Sequence, residues 1–319
     1  MSAVPQRILA ADVGGTNCRF GLFLPDAVGW QLVAVGSHAS STLYQEQDFL
    51  AALAVGLDVH PQNGDALAVA LAGPVANGTA CLTNGRLRIS AQKLGRIWGT
   101  SSCLLLNDFA AQAHACHSPV GERASHVAGP QSPGDKEGGR AVLGAGTGLG
   151  AAQLVRVSGC WQALASEFGH TAFAFVGQEE QSFADFLCAR SGLPFASVEA
   201  VLGGQGLAHL HEFLSGERLS PPEVGANALS HDSPTLRLYA RFYGRTCRHW
   251  ILSSLCQGGL WITGGIAQAN QLCLYSSSFH DALLTPGPMQ SLVATVPVRL
   301  LQDPHSGLWG AAWAFLNRA

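Results

Sequence analysis

Near the start of the chain, the residues whose types and spacing could bind a ligand are Asp12, Gly14, Gly15, Thr16 and Asn17. They lie between two apolar runs, which predict two strands joined by a tight glycine hairpin. Paired glycines let backbone N–H groups approach a ligand closely, and Thr16 adds a hydroxyl donor. This turn therefore suits a phosphate, with Asp12 holding the metal ion of the ligand. An ordinary structural hairpin is the alternative that this stretch alone leaves open.

Two further glycine-rich stretches follow apolar runs, one at 144–150 and one at Gly264-Gly265. The candidate phosphate ligands of the first stretch are Gly146, Thr147 and Gly148. The G-x-G-x-x-G spacing of a Rossmann site is absent, and no lysine follows the glycines as in a P-loop. The arrangement of three units resembles the ATPase core shared by sugar kinases, actin and the heat-shock ATPases. In that family the first two loops hold phosphates and the third contacts adenosine.

Asn107 and Asp108 follow the predicted strand 102–106, at the end where α/β sheets place their ligands. A free carboxyl titrates near pH 4, so Asp108 would be charged at neutral pH and able to accept a proton from an attacking hydroxyl. The alternative is that these residues cap a helix beginning at Phe109.

A second polar cluster contains Glu167 and His170, and a third carboxylate, Glu199, follows in the sequence. Because Glu167 and His170 are three residues apart, both can point into one cleft. A carboxylate and an imidazole suit hydrogen bonds to vicinal hydroxyls. The H-E-x-x-H spacing of a zinc site is absent. The alternatives are a satisfied polar pair in a loop and, for Glu199, a charge on a helix surface.

The composition bounds the class of protein. The chain has 319 residues, of which 47% are hydrophobic and 12% charged, enough for two domains with sizeable cores. The net charge of −3 without a basic block predicts no nucleic-acid partner. No apolar run is long enough to predict a membrane span. The nine cysteines form no C-x-x-C pair, and no signal peptide is recognised, so we expect reduced thiols and a cytoplasmic location.

The periodicity of apolar residues predicts strands alternating with helices, an α/β fold with a mixed sheet. Predicted strands, beyond those flanking the glycine turns, are 30–35, 66–71, 102–106, 260–263 and 296–301. Predicted helices are 45–57, a short one begun by Ser90, 109–116, 236–255 within a helix-rich insert at 179–256, and 306–316. The stretch 129–139, rich in Gly, Pro and polar residues, predicts a mobile surface loop.

Taken in order, these motifs resemble the bacterial ATP-dependent glucokinase family over nearly the whole chain. The stretches that carry the resemblance are Asp12-Val13-Gly14-Gly15-Thr16-Asn17, Leu106-Asn107-Asp108-Phe109-Ala110-Ala111-Gln112, Gly144-Ala145-Gly146-Thr147-Gly148-Leu149-Gly150, Glu167-Phe168-Gly169-His170, Ser197-Val198-Glu199-Ala200-Val201-Leu202 and Gly264-Gly265-Ile266. The N-D-F-x-A and G-A-G-T-G-L-G matches are the specific ones.

The resemblance implies a two-domain ribonuclease-H-like fold of the actin and hexokinase type, with mixed sheets flanked by helices and an interdomain cleft. The expected domains are a small one, 1–118 plus 306–319, and a large one, 119–305, with a helical insert. The implied activity is ATP-dependent phosphorylation of glucose or a related hexose at the 6-hydroxyl, giving glucose 6-phosphate for glycolysis. A homodimer is also implied.

The resemblance also assigns roles to individual residues. Asp108 would be the base on the 6-hydroxyl, and Asp12 would organise Mg²⁺, directly or through water. The other sugar hydroxyls would be held by Asn107, Glu167, His170 and Glu199. ATP would be bound by Asp12, Gly14, Gly15, Thr16, Asn17, Gly146, Thr147, Gly148, Gly264 and Gly265.

The chain departs from the family pattern beside the sugar-binding positions. The family's Thr-Asn-x-x-Trp stretch ends in Leu87 here, its E-G-G-H form carries Phe168, and its S-G-P-G-L turn reads Gly203-Gly204-Gln205-Gly206-Leu207. These changes leave the preferred hexose open. Two alternatives to the kinase are the sister group with a structural zinc, whose Cys-x-Cys-Gly ligands are missing here, and a sugar-binding or regulatory protein without kinase activity.

Overall fold

The computed structural model describes residues 4–27, 29–83, 85–132 and 134–318. Asn84, part of the Thr-Asn-x-x-Leu stretch, lies outside the described residues. The strands, in chain order β1 to β14, are Arg7–Val13, Asn17–Pro25, Trp30–Ala39, Asp65–Leu71, Val75–Ala76, Thr79–Cys81, Arg88–Ser90, Cys103–Asn107, Ser125–Ala128, Arg140–Ala145, Leu149–Val157, Cys160–Ser166, Gly259–Thr263 and Val298–Leu300.

The helices alternate with these strands through most of the chain. In chain order, α1 to α14 are Glu46–Leu57, Ala91–Trp98, Asp108–Ala115, Pro119–Glu122, Gly177–Ser191, Val198–Leu202, Gly204–Ser215, Pro221–Ala228, Pro234–Ser254, Gly265–Ala269, Leu272–Tyr275, Ser277–Leu283, Gln290–Ala294 and Ser306–Leu316. Within the described residues, no helix combines the length and the apolar character that crossing a membrane requires.

The chain divides into two compact units. Unit 1 consists of Met1–Arg123, Leu154–Ala165 and Asp303–Ala319, and unit 2 of Ala124–Gln153 and Ser166–Gln302. Each unit has its own buried apolar cluster, one packed around β1, β4 and α1, the other around α9 and β13. The domain boundaries predicted from the resemblance stay a prediction.

Unit 1 is organised on a sheet of order β3-β2-β1-β4-β8. β1 and β2 form the predicted antiparallel hairpin, with Val13 opposite Cys18. β4 pairs in parallel with both β1 and β8, so the carboxyl ends of these three strands lie at one edge of the sheet. Every residue of β4 is buried, as its continuous apolar run predicts for a central parallel strand.

The strands of unit 2 follow the order β11-β10-β13-β14-β9, and β12 is the next strand beside β11. The end of β11 and nearly all of β12, residues Leu154–Ala165, belong to unit 1. β10, β13 and β14 are parallel neighbours. The helix-rich insert is confirmed. Its longest helix, α9, has a buried face that includes Tyr239, Phe242 and Tyr243. The described part of 129–139 forms neither helix nor strand.

Two details of the helix starts differ from simple expectation. Ser90 does precede α2, but its side chain makes no capping hydrogen bond, so the residue marks the start without stabilising it in the usual way. Gln45 and Asp48 instead form a capping box at the start of α1, where the sequence pattern suggested only apolar periodicity.

A buried ion pair joins the first residues of β1 and β4. Arg7 Nε donates to Asp65 Oδ1 at 2.5 Å, and Trp98 Nε1 and the Gln62 N–H donate to Asp65 Oδ2 at 2.7 and 2.9 Å. Burial alone would raise the pKa of Asp65, but the hydrogen bonds from Arg7, Gln62 and Trp98 outweigh it and hold that pKa below its usual value. The charged form of Asp65 therefore stabilises the strand pair.

Replacing Asp65 with Ala should destabilise the protein by about 3–5 kcal/mol, because it leaves the Arg7 guanidinium buried and uncompensated. Urea unfolding at pH 7 measures this. The wild-type protein should also lose this contribution as the pH falls through the lowered pKa of Asp65. The matched control is Asp58→Asn, an exposed carboxylate in a left-handed conformation that Asn tolerates. Equal stability of the two variants would show that the pair contributes nothing.

Candidate active site

The carboxyl edge of the unit 1 sheet brings together two of the predicted functional stretches. Val13 lies opposite Leu71, and Leu71 lies opposite Asn107, so β1 and β8 end level with each other on either side of β4. Asp12 therefore lies near the end of one strand, and Asn107-Asp108 at the end of the other. Ligands of open α/β sheets bind at this edge.

Asn107 is the N-cap residue of α3, so the structural alternative considered for it is confirmed. Its Oδ1 accepts hydrogen bonds from the N–H groups of Phe109 and Ala110 at 2.9 and 3.3 Å, and its Nδ2 donates to the Gly73 carbonyl at 3.2 Å. A primary amide has two N–H groups, and Gly73 accepts from one of them. The cap fixes the direction in which the backbone presents Asp108.

Asp108 is the first residue of α3 and has an unusual environment for a carboxylate. Its Oδ1 accepts from the Phe109 N–H at 3.0 Å. Burial raises the pKa of Asp108 to about 6, with a further increase from the negative charge of Asp12, although the bond from Phe109 acts in the opposite direction. A carboxylate with this pKa is mostly charged at pH 7, yet it accepts a proton more readily than an ordinary one.

Asp12 is the second carboxylate at this edge. Burial raises its pKa, while Arg19, whose Nη1 lies 3.9 Å from Asp12 Oδ2, lowers it. Gly307, in the first turn of α14, packs against the carboxyl group, and a Cβ at that position would overlap it. The glycine therefore leaves room for the carboxylate beside the N-terminus of this helix.

The donor set at this edge fits a magnesium ion. Mg²⁺ in nucleotide sites is usually bound through one or two carboxylates together with water and phosphate oxygens. Asp12 offers a partly exposed carboxylate of raised pKa, whose ionised form a divalent cation would favour. Gly15 and Thr16, in the adjoining turn, and Asn17, the first residue of β2, are exposed.

Unit 2 positions the second glycine turn against Glu199. The turn lies between β10 and β11, and Glu199 Oε2 accepts from the Leu149 N–H at 2.9 Å. A Cβ on Gly148 would overlap the same carboxylate oxygen, so the turn and Glu199 pack in direct contact. The Gly204 N–H donates to the Gly146 carbonyl at 2.9 Å and links the turn to the start of α7. Glu199 is therefore more than a charge on a helix surface.

Glu167 and His170 lie together, as their spacing predicts. Glu167 Oε2 is 3.7 Å from His170 Nε2, and the two side chains are 90% and 64% exposed. Both groups are therefore open to a ligand from solvent. Phe168, between them, packs its ring 4.9 Å from that of Trp250 and contributes to the core of unit 2.

Two cavities adjoin the second glycine turn. The first, here called the Glu199 cavity, has a volume of about 630 Å³ and is lined by Thr147, His170, Leu187, Arg190, Ser191, Leu193, Phe195, Ala196, Ser197, Glu199, Ala200, Gln205, Gly206 and His209. It brings two predicted sugar ligands and one predicted phosphate ligand to one place.

The second cavity, here called the Gly265 cavity, has a volume of about 400 Å³. It is lined by Gly146, Thr147, Gly204, Gln205, Leu207, Pro221, Pro222, Gly265, Ile266, Ala269 and Asn270. The second and third glycine units therefore meet around one space, as their predicted convergence requires. Gly264 has a φ of +93° and packs on the Ala145 backbone, so it shapes the turn before α10. Thr147 and Gln205 line both cavities.

Comparison with known proteins assigns the chain to a family. A family model described as Glucokinase matches residues 9–318. The chain belongs to the glucokinase family. A glucokinase of Caulobacter vibrioides (strain NA1000 / CB15N) is 33% identical over 316 residues, covering 96% of this chain and 94% of its own length. The predicted ATP-dependent glucose kinase is confirmed by this family membership.

Solved structures of glucokinases share the fold. The glucokinase from an Antarctic psychrotroph superposes with a TM-score of 0.85 at 28% identity, covering 98% of this chain and 99% of its own. A ROK family glucokinase from Streptomyces griseus, solved with glucose and AMPPNP, gives a TM-score of 0.57 at 18% identity, covering 96% and 98% of the two chains. The predicted α/β fold of the sugar-kinase type is confirmed.

Two of the three departures from the family pattern pack in hydrophobic cores. Leu87 is 1% exposed in the unit 1 core, and Phe168 packs against Trp250. Neither residue lines the Glu199 cavity, whereas Gln205, from the altered Gly-Gly-Gln-Gly turn, does. Among the described residues, no cluster of three or more His, Cys, Asp or Glu side chains has the geometry of a metal site, zinc included.

Sequence reasoning missed several residues that shape these sites. Gly307 and Gly73 lie far in sequence from the residues they contact, and a single glycine gave no pattern to find them. Arg19 follows the first glycine turn, and its position opposite Asp12 in the hairpin register was a usable signal. The apolar wall of the Glu199 cavity, Leu193 and Phe195, looked like ordinary loop sequence.

The family resemblance implies that Glu199 binds a sugar hydroxyl. On that assignment, replacing Gly148 with Ala should weaken glucose binding roughly fivefold or more, since the added methyl group displaces the Glu199 carboxylate and removes its hydrogen bond to the hydroxyl. Calorimetric titration with glucose measures the change. Gly146→Ala is the matched control, because a Cβ there meets nothing within 4 Å and neither glycine has a left-handed backbone. Equal glucose affinity in both variants would contradict the role of the Gly148–Glu199 contact.

Proposed function

We propose that Asp108 is the general base of the glucose kinase. The 6-hydroxyl oxygen of glucose attacks the γ-phosphorus of ATP, the bond from this phosphorus to the β,γ-bridging oxygen breaks, and ADP leaves. The hydroxyl proton passes to Asp108. The observation that carries this proposal is the position of Asp108 at the carboxyl end of β8, with a pKa of about 6. The second carboxylate, Asp12, is assigned to the metal because it lies next to the glycine turn.

Nucleotide contacts are proposed for each glycine turn separately, as the family resemblance implies. The N–H groups of Gly15 and Gly148, with the hydroxyls of Thr16 and Thr147, are assigned to the phosphates. Gly14, whose N–H donates to the Asn17 carbonyl at 3.0 Å, closes the first turn so that its backbone can lie against a phosphate. Asn17, at the end of the first turn, and Gly146, in the second turn, are assigned to the phosphates as well. Adenosine is assigned to the Gly265 cavity, which Gly264 helps to shape. A related fold, the Streptomyces griseus enzyme, was solved with glucose and AMPPNP, which supports the choice of nucleotide.

Magnesium is proposed as the cofactor, held by Asp12 directly or through water. When bound, Mg²⁺ neutralises the charge of the β- and γ-phosphate oxygens. Asp12 then keeps its negative charge despite its burial. Phosphoryl transfer depends on positioning and charge neutralisation more than on covalent chemistry, and the residues at this edge offer both.

The sugar hydroxyls other than the reacting one are assigned to Asn107, Glu167, His170 and Glu199. Glu199 and His170 line one cavity, and Glu167 is paired with His170, which supports a common ligand. Glucose is the proposed hexose. Its product, glucose 6-phosphate, would enter glycolysis in the cytoplasm, and the enzyme would act as a homodimer; these statements rest on the family resemblance.

Replacing Asp108 with Asn should lower kcat by about 100-fold or more, since an amide cannot accept the proton and general-base catalysis typically contributes that much. The dissociation constant for glucose should change little, because amide and carboxylate share a shape. A coupled ATP-consumption assay over a panel of hexoses, with calorimetry for glucose, measures both quantities.

The control for this experiment is Asp58→Asn, which removes an exposed carboxylate of the same unit and should leave both quantities unchanged. If the Asp108→Asn variant keeps more than about a tenth of the wild-type kcat, Asp108 is not the base. If none of the hexoses in the panel makes the wild-type protein consume ATP, the chain is a sugar-binding protein and not a kinase.

A further inference from the structure

The Glu199 cavity is larger than a hexose requires. Its volume of about 630 Å³ lies within the range of sites for drug-sized ligands, whereas a hexose has only about twelve non-hydrogen atoms. His170 and Glu199 mark the part assigned to the sugar. The remainder, here called the annex, is lined by Leu187, Arg190, Leu193, Phe195, Gln205 and His209. The annex can therefore hold a group attached to the sugar.

The charges around the annex favour an uncharged group. Arg190 Nη2 donates to Glu212 Oε1 at 2.6 Å, and the exposed Arg218 contacts the same oxygen at 2.7 Å, so the positive charge of Arg190 is partly balanced. Burial lowers the pKa of His209, with a further decrease from Arg190, so its imidazole is neutral at pH 7. The negative Glu199 in the same cavity repels anions. A phosphate or carboxylate on the sugar would lie in the same cavity as the Glu199 carboxylate, which disfavours it.

The walls of the annex combine apolar side chains with amide-binding groups. Leu193 and Phe195 remain 57% and 46% exposed, so a ligand that covers them removes apolar surface from water. Gln205 can both donate and accept, and a guanidinium has five N–H donors, of which Arg190 gives one to Glu212. These features match a group with one amide followed by a short alkyl chain.

We propose that the annex binds the acyl group of a hexose that is N-acylated at carbon 2. This inference rests on the proposed placement of the sugar beside Glu199. In a pyranose ring, carbon 2 lies opposite carbon 5, which carries the reacting hydroxymethyl group. A substituent at carbon 2 therefore points away from the 6-hydroxyl and leaves that hydroxyl free to react. The amide meets Gln205 and Arg190, and the alkyl chain covers Leu193 and Phe195.

The test is calorimetric titration of the full chain, without nucleotide, with glucose, N-acetylglucosamine and N-hexanoylglucosamine. The hexanoyl compound should bind at least about tenfold more tightly than the acetyl compound, since each buried methylene contributes roughly fourfold to affinity. Leu193→Asp should weaken hexanoyl binding about fivefold or more and change glucose binding less than about twofold. Val176→Asp, at an exposed apolar position outside the cavity lining, is the matched control and should change neither.

Equal affinity of the wild-type protein for the acetyl and hexanoyl compounds would overturn the annex. A loss at Leu193→Asp that is the same for glucose and for the hexanoyl compound would also overturn it. The phosphorylation of glucose is measured on the same wild-type preparation. Normal phosphorylation without a preference for the longer acyl chain rejects the annex alone, whereas absent phosphorylation with the preference intact rejects only the proposed kinase mechanism.

Discussion

Two carboxylates held at one edge of a sheet are the constraint on which unit 1 depends. Burial makes Asp12 and Asp108 costly to ionise, and the charge of Asp12 raises the pKa of Asp108 further. The same effect that opposes folding makes Asp108 a better proton acceptor at neutral pH. β4 fixes the strands on both sides of it, and the buried Arg7–Asp65 pair joins β1 and β4 at their opposite ends. The β1–β4 pair is thus stabilised at the Arg7–Asp65 end and destabilised at the end where we propose the chemistry.

In unit 2 the main constraint is the position of one carboxylate against a glycine turn. Glu199 accepts from the Leu149 N–H and contacts Gly148, so its position depends on a backbone with no side chain at that point. The same turn adjoins the Gly265 cavity through Gly146 and Thr147. A substitution in this turn therefore alters the surroundings of the assigned sugar and nucleotide positions at the same time. This coupling follows from packing within one unit.

The sequence was informative where a local pattern determines the structure. The glycine hairpin, the buried run of β4, the end of β8 to within one residue and the helix α9 followed from periodicity and turn residues. The Arg7–Asp65 pair and the contact of Gly307 with Asp12 did not, since each joins residues distant in sequence and depends on strand register. The cavities also escaped prediction, because loop residues such as Leu193 show no pattern that distinguishes a cavity wall from a surface. Leu87 and Phe168, which suggested altered sugar contacts, are packing residues whose partners only the fold reveals.

The claim that burial and the neighbouring charge make Asp108 a base at neutral pH has a direct test. The protein is labelled with ¹³C at its aspartate carboxyls and titrated by NMR without ligands, and the Asp108 signal is assigned by its loss in Asp108→Asn. We expect an apparent pKa of about 6 for Asp108, which moves toward the ordinary aspartate value in Asp12→Asn. An Asp108 carboxyl that titrates near pH 4, or one that Asp12→Asn leaves unchanged, would contradict the claim.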